Sequence, residues 1–381
     1  MSRETIYTNA QIVLRDRVLH GTVRVVDGKI GEIDEKPAQI ETAIDCEGDY
    51  LLPGLIELHT DNLEKHFMPR PKVTWPAAAA VMAHDAQMAA AGITTVFDAL
   101  ACGEVDPGGA RVANLQSMVT AVGETQARGH LRVDHRLHLR CEVSWAPVVG
   151  TFEKLTSEPL LGIVSVMDHS PGQRQFIHED KYRTYYMGKY HLDSAEMDAF
   201  TVHQKEASAR FSAVNRRAIA DACREKGLIL ASHDDATLDH VAEAADLGTR
   251  FAEFPTTLDA ARASHDAGMM VLMGAPNLVR GGSHSGNISA STLAEAGCLD
   301  VLSSDYVPIS LIHAAFMLHR GPFGIGLPEA VATVTATPAA VTGLSDRGVI
   351  ETGRRADLVR VLDTGDAPVI RAVWREGRQV A

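Results

Sequence analysis

The chain has no paired cysteine spacing, no long apolar run and no surplus of positive charge, and each absence closes off a class of protein. Its five cysteines, Cys46, Cys102, Cys141, Cys223 and Cys298, are scattered without a C-x-x-C pair. An odd, dispersed set reads as reduced thiols in a cytoplasmic protein, not as a disulfide framework. No stretch approaches the roughly 20 apolar residues needed to cross a bilayer. The opening Met1-Ser2-Arg3-Glu4-Thr5 lacks a basic start followed by an apolar core, so no secretory leader is expected. With 36 Lys and Arg against 49 Asp and Glu, the formal charge is −13. That balance excludes a general nucleic-acid surface, because phosphate backbones need clustered cations. A small phosphorylated substrate stays admissible, since it needs only a local cationic pocket. Internal repeats and low-complexity tracts are also missing.

What is present suits a large core: 381 residues, 45% of them hydrophobic and 22% charged. The length matches a barrel of about 250 residues plus an accessory module. Both ends read as short strands. At the start, Ile12-Val13-Leu14, Gly21 to Val26 and Lys29 to Ile33 surround an Asp27-Gly28 turn, a favoured hairpin signal. At the end, Ala356 to Val361 and Val369 to Trp374 precede a Glu376-Gly377 turn. The two ends are expected to pair as one small β-sandwich over 1–52 and 345–381, with two independent hairpins as the alternative. Over 53–344, strands alternate with helical runs, which predicts βα units and a parallel sheet. Strand candidates are Leu55 to Leu58, Ile93 to Phe97, Leu137 to Arg140, Gly162 to Val166, Leu228 to Ala231, Met269 to Met273 and Asp300 to Ser303. Helices are expected over Ala77 to Ala91, Asp198 to Lys226 and Asp239 to Leu247, and residues 170–200 read as an insertion over the barrel mouth.

Polar residues able to bind metal follow one apolar strand after another. Leu55 to Leu58 leads into His59-Thr60-Asp61, and His138 to Cys141 into Glu142. Ser165 to Met167 leads into Asp168-His169, Ile229 to Ser232 into His233-Asp234-Asp235, and Val301 to Ser304 into Asp305. In a βα barrel the C-terminal strand ends converge on one mouth, where such residues meet. Imidazole and carboxylate groups are ligands for Zn²⁺, Mn²⁺ or Fe²⁺. Residues two apart along a strand point the same way, so His59 and Asp61 could grip one ion. A hydrogen-bonded His beside a turn-forming Asp would look the same. Repetition at five strand ends favours a metal centre of one or two ions.

Pro53-Gly54-Leu55-Ile56-Glu57-Leu58-His59 resembles the entry into the first barrel strand of the amidohydrolase superfamily, although the usual His-x-His is here His59-Thr60-Asp61. Longer segments narrow the likeness: His59 to Lys65, Pro69 to Pro76, Ser232 to Thr237, Gly274 to Asn277, Arg280 to Asn287 and Ser303 to Tyr306. They resemble the branch that acts on ribose phosphonate triphosphates in the carbon–phosphorus lyase route of phosphonate catabolism. The resemblance implies a (β/α)8 TIM-like barrel of amidohydrolase type, with the chain ends wrapped into a β-sandwich. It implies metal ligation by His59, Asp61, His169, His233 and Asp305, with Glu142 as a bridging carboxylate. It also implies attack at the α-phosphorus of α-D-ribose 1-methylphosphonate 5-triphosphate, leaving the 5-phosphate and pyrophosphate.

Asp305 is the residue expected to orient the attacking water and take its proton. The anionic substrate requires cations, and Arg70 and Lys72 follow the first motif. Arg280-Gly281-Gly282-Ser283-His284 joins a guanidinium to small residues whose amides can approach phosphate. Arg174, Lys181 and Arg183 of the insertion could close over the phosphates. Each has a plainer reading as solvated surface charge, Gly281-Gly282 as a simple turn, and His284 as bonded within its loop. The partners expected are the phosphorylated ribose phosphonate and, as an open alternative, further copies of the chain, with no nucleic acid and no membrane. Two rival functions remain: C–N bond hydrolysis, as by a cyclic amidase or deaminase, and a non-enzymatic subunit of a carbon–phosphorus lyase assembly.

Overall fold

A computed structural model describes residues 3–70, 73–105, 111–177, 179–283 and 286–381. Strands β1 (Glu4–Val13), β2 (Val18–Val26) and β3 (Lys29–Asp34) form an antiparallel meander. The β2–β3 turn holds Asp27 at φ 49° and Gly28 at φ 78°, the two left-handed positions that a tight hairpin of this hand requires. Strands β4 (Ile44–Asp45) and β5 (Tyr50–Pro53) then run parallel to β1.

Eight parallel strands follow: β6 (Leu55–Thr60), β7 (Ile93–Cys102), β8 (Asp134–Glu142), β9 (Leu161–Met167), β10 (Ile229–His233), β11 (Phe251–Glu253), β12 (Met270–Gly274) and β13 (Val301–Ser303). Every residue of β6 and β7 is buried, as expected of parallel strands covered on both faces. Ile56, Phe97, Ile163, Ala231, Phe251, Leu272 and Val301 belong to one apolar cluster, the filling of the barrel. The ring closes between β13 and β6. Thr60 bridges Asp305 in parallel, and Glu57 clamps the seam by accepting from the His59 amide at 2.6 Å and the Ser304 amide at 2.5 Å. Burial pushes the Glu57 carboxyl up to about 7 against those hydrogen bonds. The strand β11 has no counterpart among the predicted strands.

The last strands, β14 (Leu358–Asp363), β15 (Pro368–Arg375) and β16 (Arg378–Gln379), return to the first sheet, where β14 pairs antiparallel with β5. Both chain ends therefore share one sheet, and the alternative of two separate hairpins is excluded. Two strands lie between β1 and β15, so a flat sheet would hold them about 14 Å apart. Yet the rings of Tyr7 on β1 and Trp374 on β15 meet with centroids 4.8 Å apart. The sheet must therefore fold over itself around Tyr7, Ile12, Val23, Leu51, Leu358 and Trp374, which gives it a sandwich-like core. No helix among the described residues is long and apolar enough to cross a membrane.

Candidate active site

The barrel geometry brings six distant residues to one mouth. His59 and Asp61 stand at the end of β6, Glu142 ends β8, His169 follows β9, His233 ends β10 and Asp305 follows β13. All six line a single cavity of 490 Å³. Asp234, Phe254 and Asp305, just past their strands, have φ of 57°, 53° and 51°. Left-handed backbone is tolerated by Asp but unfavourable for Phe, and such strain gathers at functional sites.

Each of the three cavity imidazoles is held at Nδ1 by a buried carboxylate. Glu253, the last residue of β11, meets His59 Nδ1 at 2.9 Å with one oxygen and His233 Nδ1 at 3.0 Å with the other. Glu142 meets His169 Nδ1 at 2.6 Å. A proton held at Nδ1 leaves the Nε2 lone pair of each ring available to a ligand. The His59 and His233 rings lie 5.7 Å apart and 23° from parallel, and His169 is 5.8 Å from His233. One ligand atom from each of His169, His233 and Asp234 lies within 4.8 Å of the others. Asp61 Oδ1 is buried without a hydrogen bond, its nearest cation being Lys65 Nζ at 3.4 Å. Nitrogen and oxygen donors of this kind are suited to a divalent ion.

Burial and neighbouring charges move the two carboxylates Glu253 and Asp305 in opposite directions. Burial alone would raise Glu253, but the charges of His59 and His138 and the bonds from His233 and His59 hold it well below the usual range. It stays an anion between two rings. Asp305 moves the other way: burial pushes it up and the neighbouring Asp61 charge adds to that, against His59, Arg140 and His233. A raised carboxyl is the better proton acceptor near neutral pH.

The remaining expectations divide. Glu142 has both oxygens engaged, one with Ser144 Oγ at 2.8 Å and the His169 amide at 3.2 Å, the other with His169 Nδ1. Here it orients His169 and does not present a free carboxylate. Gly103, at φ 141°, packs so closely that a Cβ would lie 2.6 Å from Glu142 Cβ. Arg280 and Ser283 line the cavity, whereas Gly281 and Gly282 do not. Arg70 is exposed, bridged to Val73 and outside the cavity. Lys72 and His284 lie outside the described residues. The insertion does wall the mouth, through Phe176, Tyr185, Tyr186 and Lys189. Its arginines do other work: Arg174 is buried against Asp235 and Glu243, and Arg183 pairs with Asp198. Three lining or supporting groups have no place among the expectations, namely Glu253, Arg140 and Arg111. Glu253 did carry the same signal as the others, a carboxylate ending an apolar segment, but on a strand of three residues.

Comparison with known proteins bears on the fold and the family. Residues 86–381 match the amidohydrolase family. The alpha-D-ribose 1-methylphosphonate 5-triphosphate diphosphatase of Escherichia coli (strain K12) is 52% identical over 376 residues, covering 98% of this chain and 100% of that protein. Among solved structures, N-acetyl-D-glucosamine-6-phosphate deacetylase from Mycobacterium smegmatis superposes with a TM-score of 0.66 at 14% identity, covering 99% of each chain. Dihydropyrimidinase from Brevibacillus agri gives 0.63 at 14% identity, over 99% of this chain and 95% of its own. The two structures bear on the fold alone. The curated relative, the matched segment and the strand-end donors converge: the chain belongs to the amidohydrolase family.

Proposed function

We propose that this hydrolase cleaves α-D-ribose 1-methylphosphonate 5-triphosphate with water, releasing pyrophosphate and leaving the 5-phosphate. The observation that carries the reading is the 52% identity, across nearly the whole chain, to a diphosphatase of that name. The cavity supports it with Arg280 and Ser283 at its wall, a donor pair suited to phosphate oxygens. C–N hydrolysis has only fold-level likeness behind it, which does not transfer an activity.

His59, Asp61, His169 and His233 would hold the divalent ion, which when bound lowers the pKa of water and offsets charge on phosphoryl oxygens. Glu253 and Glu142 keep the three rings in the tautomer that faces it. Asp305 orients the attacking water and takes its proton as the new O–P bond forms at the α-phosphorus. The bond from that phosphorus to the bridging oxygen breaks, and pyrophosphate leaves with the electron pair. Arg280 and Ser283 receive the phosphate chain, while the Tyr185–Tyr186 wall closes off one side of the mouth.

Hydrolysis in ¹⁸O-labelled water decides where attack occurs. Label in the 5-phosphate and none in pyrophosphate is the expected result, and label in pyrophosphate would reject α-attack. Asp305→Asn should lower turnover by about 10²–10⁴-fold, the scale of a lost general base, with folding and metal content retained. Zinc is the ion we propose, on the strength of the imidazole-rich donor set, and metal analysis of protein purified without added metal tests it. A cytoplasmic site of action fits five cysteines that are all free and buried. We assign 1–52 and 345–381 to one unit and 53–344 to the barrel, and include homo-oligomer formation in the proposal, to be read by analytical ultracentrifugation.

A further inference from the structure

Arg140 lines the cavity from β8, and among the described residues it has no ion-pair partner. On β8, residues two apart share a face, so Arg136, His138, Arg140 and Glu142 all point to the barrel interior, while Leu137, Leu139 and Cys141 pack outward under the helices. His138 is fully buried and satisfied, with Nδ1 at 2.8 Å from the Leu58 carbonyl and Nε2 at 2.9 Å from Ser165 Oγ. Glu142, at the upper end, is engaged with His169 and Ser144. Arg136, at the lower end, lies over the Phe97 ring at 6.0 Å. Arg140 sits between them, lining the cavity with His59, His233 and Asp305. Its Nε is buried with no hydrogen bond, and no residue described here forms an ion pair with it.

Other buried guanidiniums of the protein are neutralised. Arg174 meets Asp235 and Glu243, Arg216 meets Glu243 and Asp168, and Arg347 meets Asp134 and Asp346. A half-buried guanidinium left without an anion is costly. Of the cavity carboxylates, Glu142 is turned to His169 and Asp61 toward Lys65, while Asp305, which feels the Arg140 charge, forms no ion pair with it. An anionic ligand would supply the paired contact that the Arg140 guanidinium lacks among the described residues.

We propose that Arg140 binds the non-bridging oxygens of the phosphoryl group under attack, and so makes this cavity selective for phosphoryl over C–N substrates. The inference rests on the hydrolytic reading above. A planar guanidinium presents paired donors that match two phosphoryl oxygens at once, and a neutral amide offers no such pair. Arg280 and Ser283 lie on the other wall and take the departing part of the chain. Arg140 forms no bond to phosphorus and moves no proton; it holds the oxygens whose charge grows as water adds.

The test uses metal-loaded full-length protein, wild type beside Arg140→Met and Arg140→Lys, with inorganic tripolyphosphate as the binding probe and the ribose triphosphate as substrate. Calorimetry should show tripolyphosphate binding weakened at least about tenfold in Arg140→Met. Turnover should fall about 10²–10³-fold, the scale of a lost oxyanion donor, with Arg140→Lys between the two and metal content unchanged. Added methylguanidinium should restore part of the activity of Arg140→Ala, which a purely structural role would not permit. Binding and turnover of Arg140→Met within threefold of wild type would overturn the proposal. If Arg140→Met loses metal or unfolds, the other two variants decide: wild-type-like Arg140→Lys with no rescue of Arg140→Ala also overturns it. Arg140-dependent tripolyphosphate binding without pyrophosphate release by wild type would sink the assigned reaction and leave the anion site standing.

Discussion

Glu253 shows how much of the site depends on a residue that touches no substrate. One fully buried carboxylate serves two imidazoles from β6 and β10, so its charge sets the tautomer of both. Glu253→Gln would replace one acceptor oxygen with an NH₂ donor facing a ring nitrogen, and one imidazole must then turn or change tautomer. Loss of such an outer partner costs about 10–100-fold in metal affinity. Competition against a chromogenic chelator should show that loss while far-UV circular dichroism stays as in wild type; unchanged affinity would remove Glu253 from the assembly. Gly103 makes the opposite kind of contribution, by having no side chain. Its backbone at φ 141° and the 2.6 Å approach to Glu142 Cβ leave no room for a methyl group. Gly103→Ala should cost about 1–3 kcal/mol in urea unfolding, as overpacking does, and should displace Glu142 from His169.

At the scale of elements, the helix Ala77–Ala90 is tied to β7 and β8 by charge as well as by apolar packing. Asp98 on β7 accepts from His84 Nε2 and His135 Nδ1, each at 2.7 Å, and Asp85 stands 3.4 Å from His135 Nε2. All four side chains are fully buried. Burial works against the His135 cation, yet Asp98 and Asp85 raise it to about 9, while burial lowers His84. The folded His135 value exceeds its unfolded value near 6.5. Its contribution to stability is therefore complete below about pH 6.5 and is lost as pH rises through about 9. Metal-free protein should show a falling unfolding midpoint between pH 7 and 9, and His135→Gln should flatten that slope. A slope that survives in His135→Gln would place its origin elsewhere.

The whole molecule depends on the chain ends meeting. β5 runs into β6 across Gly54 alone, and β5 is held from the other side by β14. The first barrel strand, which carries His59, is thus anchored by residues some three hundred positions later. Trp374, buried against Tyr7, closes the fold of that sheet. Trp374→Ala should cost about 3–5 kcal/mol, the usual range for a buried large aromatic. If the terminal sheet unfolds with the barrel, the loss will appear as one shifted transition; a separate early transition would mean the two unfold independently.

Much of this arrangement was legible in the residues alone. Apolar runs ending in His59, Glu142, His169, His233 and Asp305 announced both the strands and the mouth, because a parallel barrel demands uniformly apolar strands and collects their C-terminal ends. The Asp27-Gly28 hairpin was equally plain, since few residues accept left-handed backbone. Strand β11 was hidden, because three residues are too few to display a period. With it went Glu253.

The chain by itself determined the barrel, the folded terminal sheet and the strand-end residues that line its mouth, since burial pattern and turn chemistry are local properties written every few residues. Only tertiary structure decided which charge meets which. It turned Arg174 inward to Asp235 and Glu243, left Arg70 outside, gave Glu142 to His169 and left Arg140 in the cavity without an ion pair among the described residues. Pairing between residues far apart in sequence depends on distances of a few ångströms in space, and no spacing along the chain encodes those.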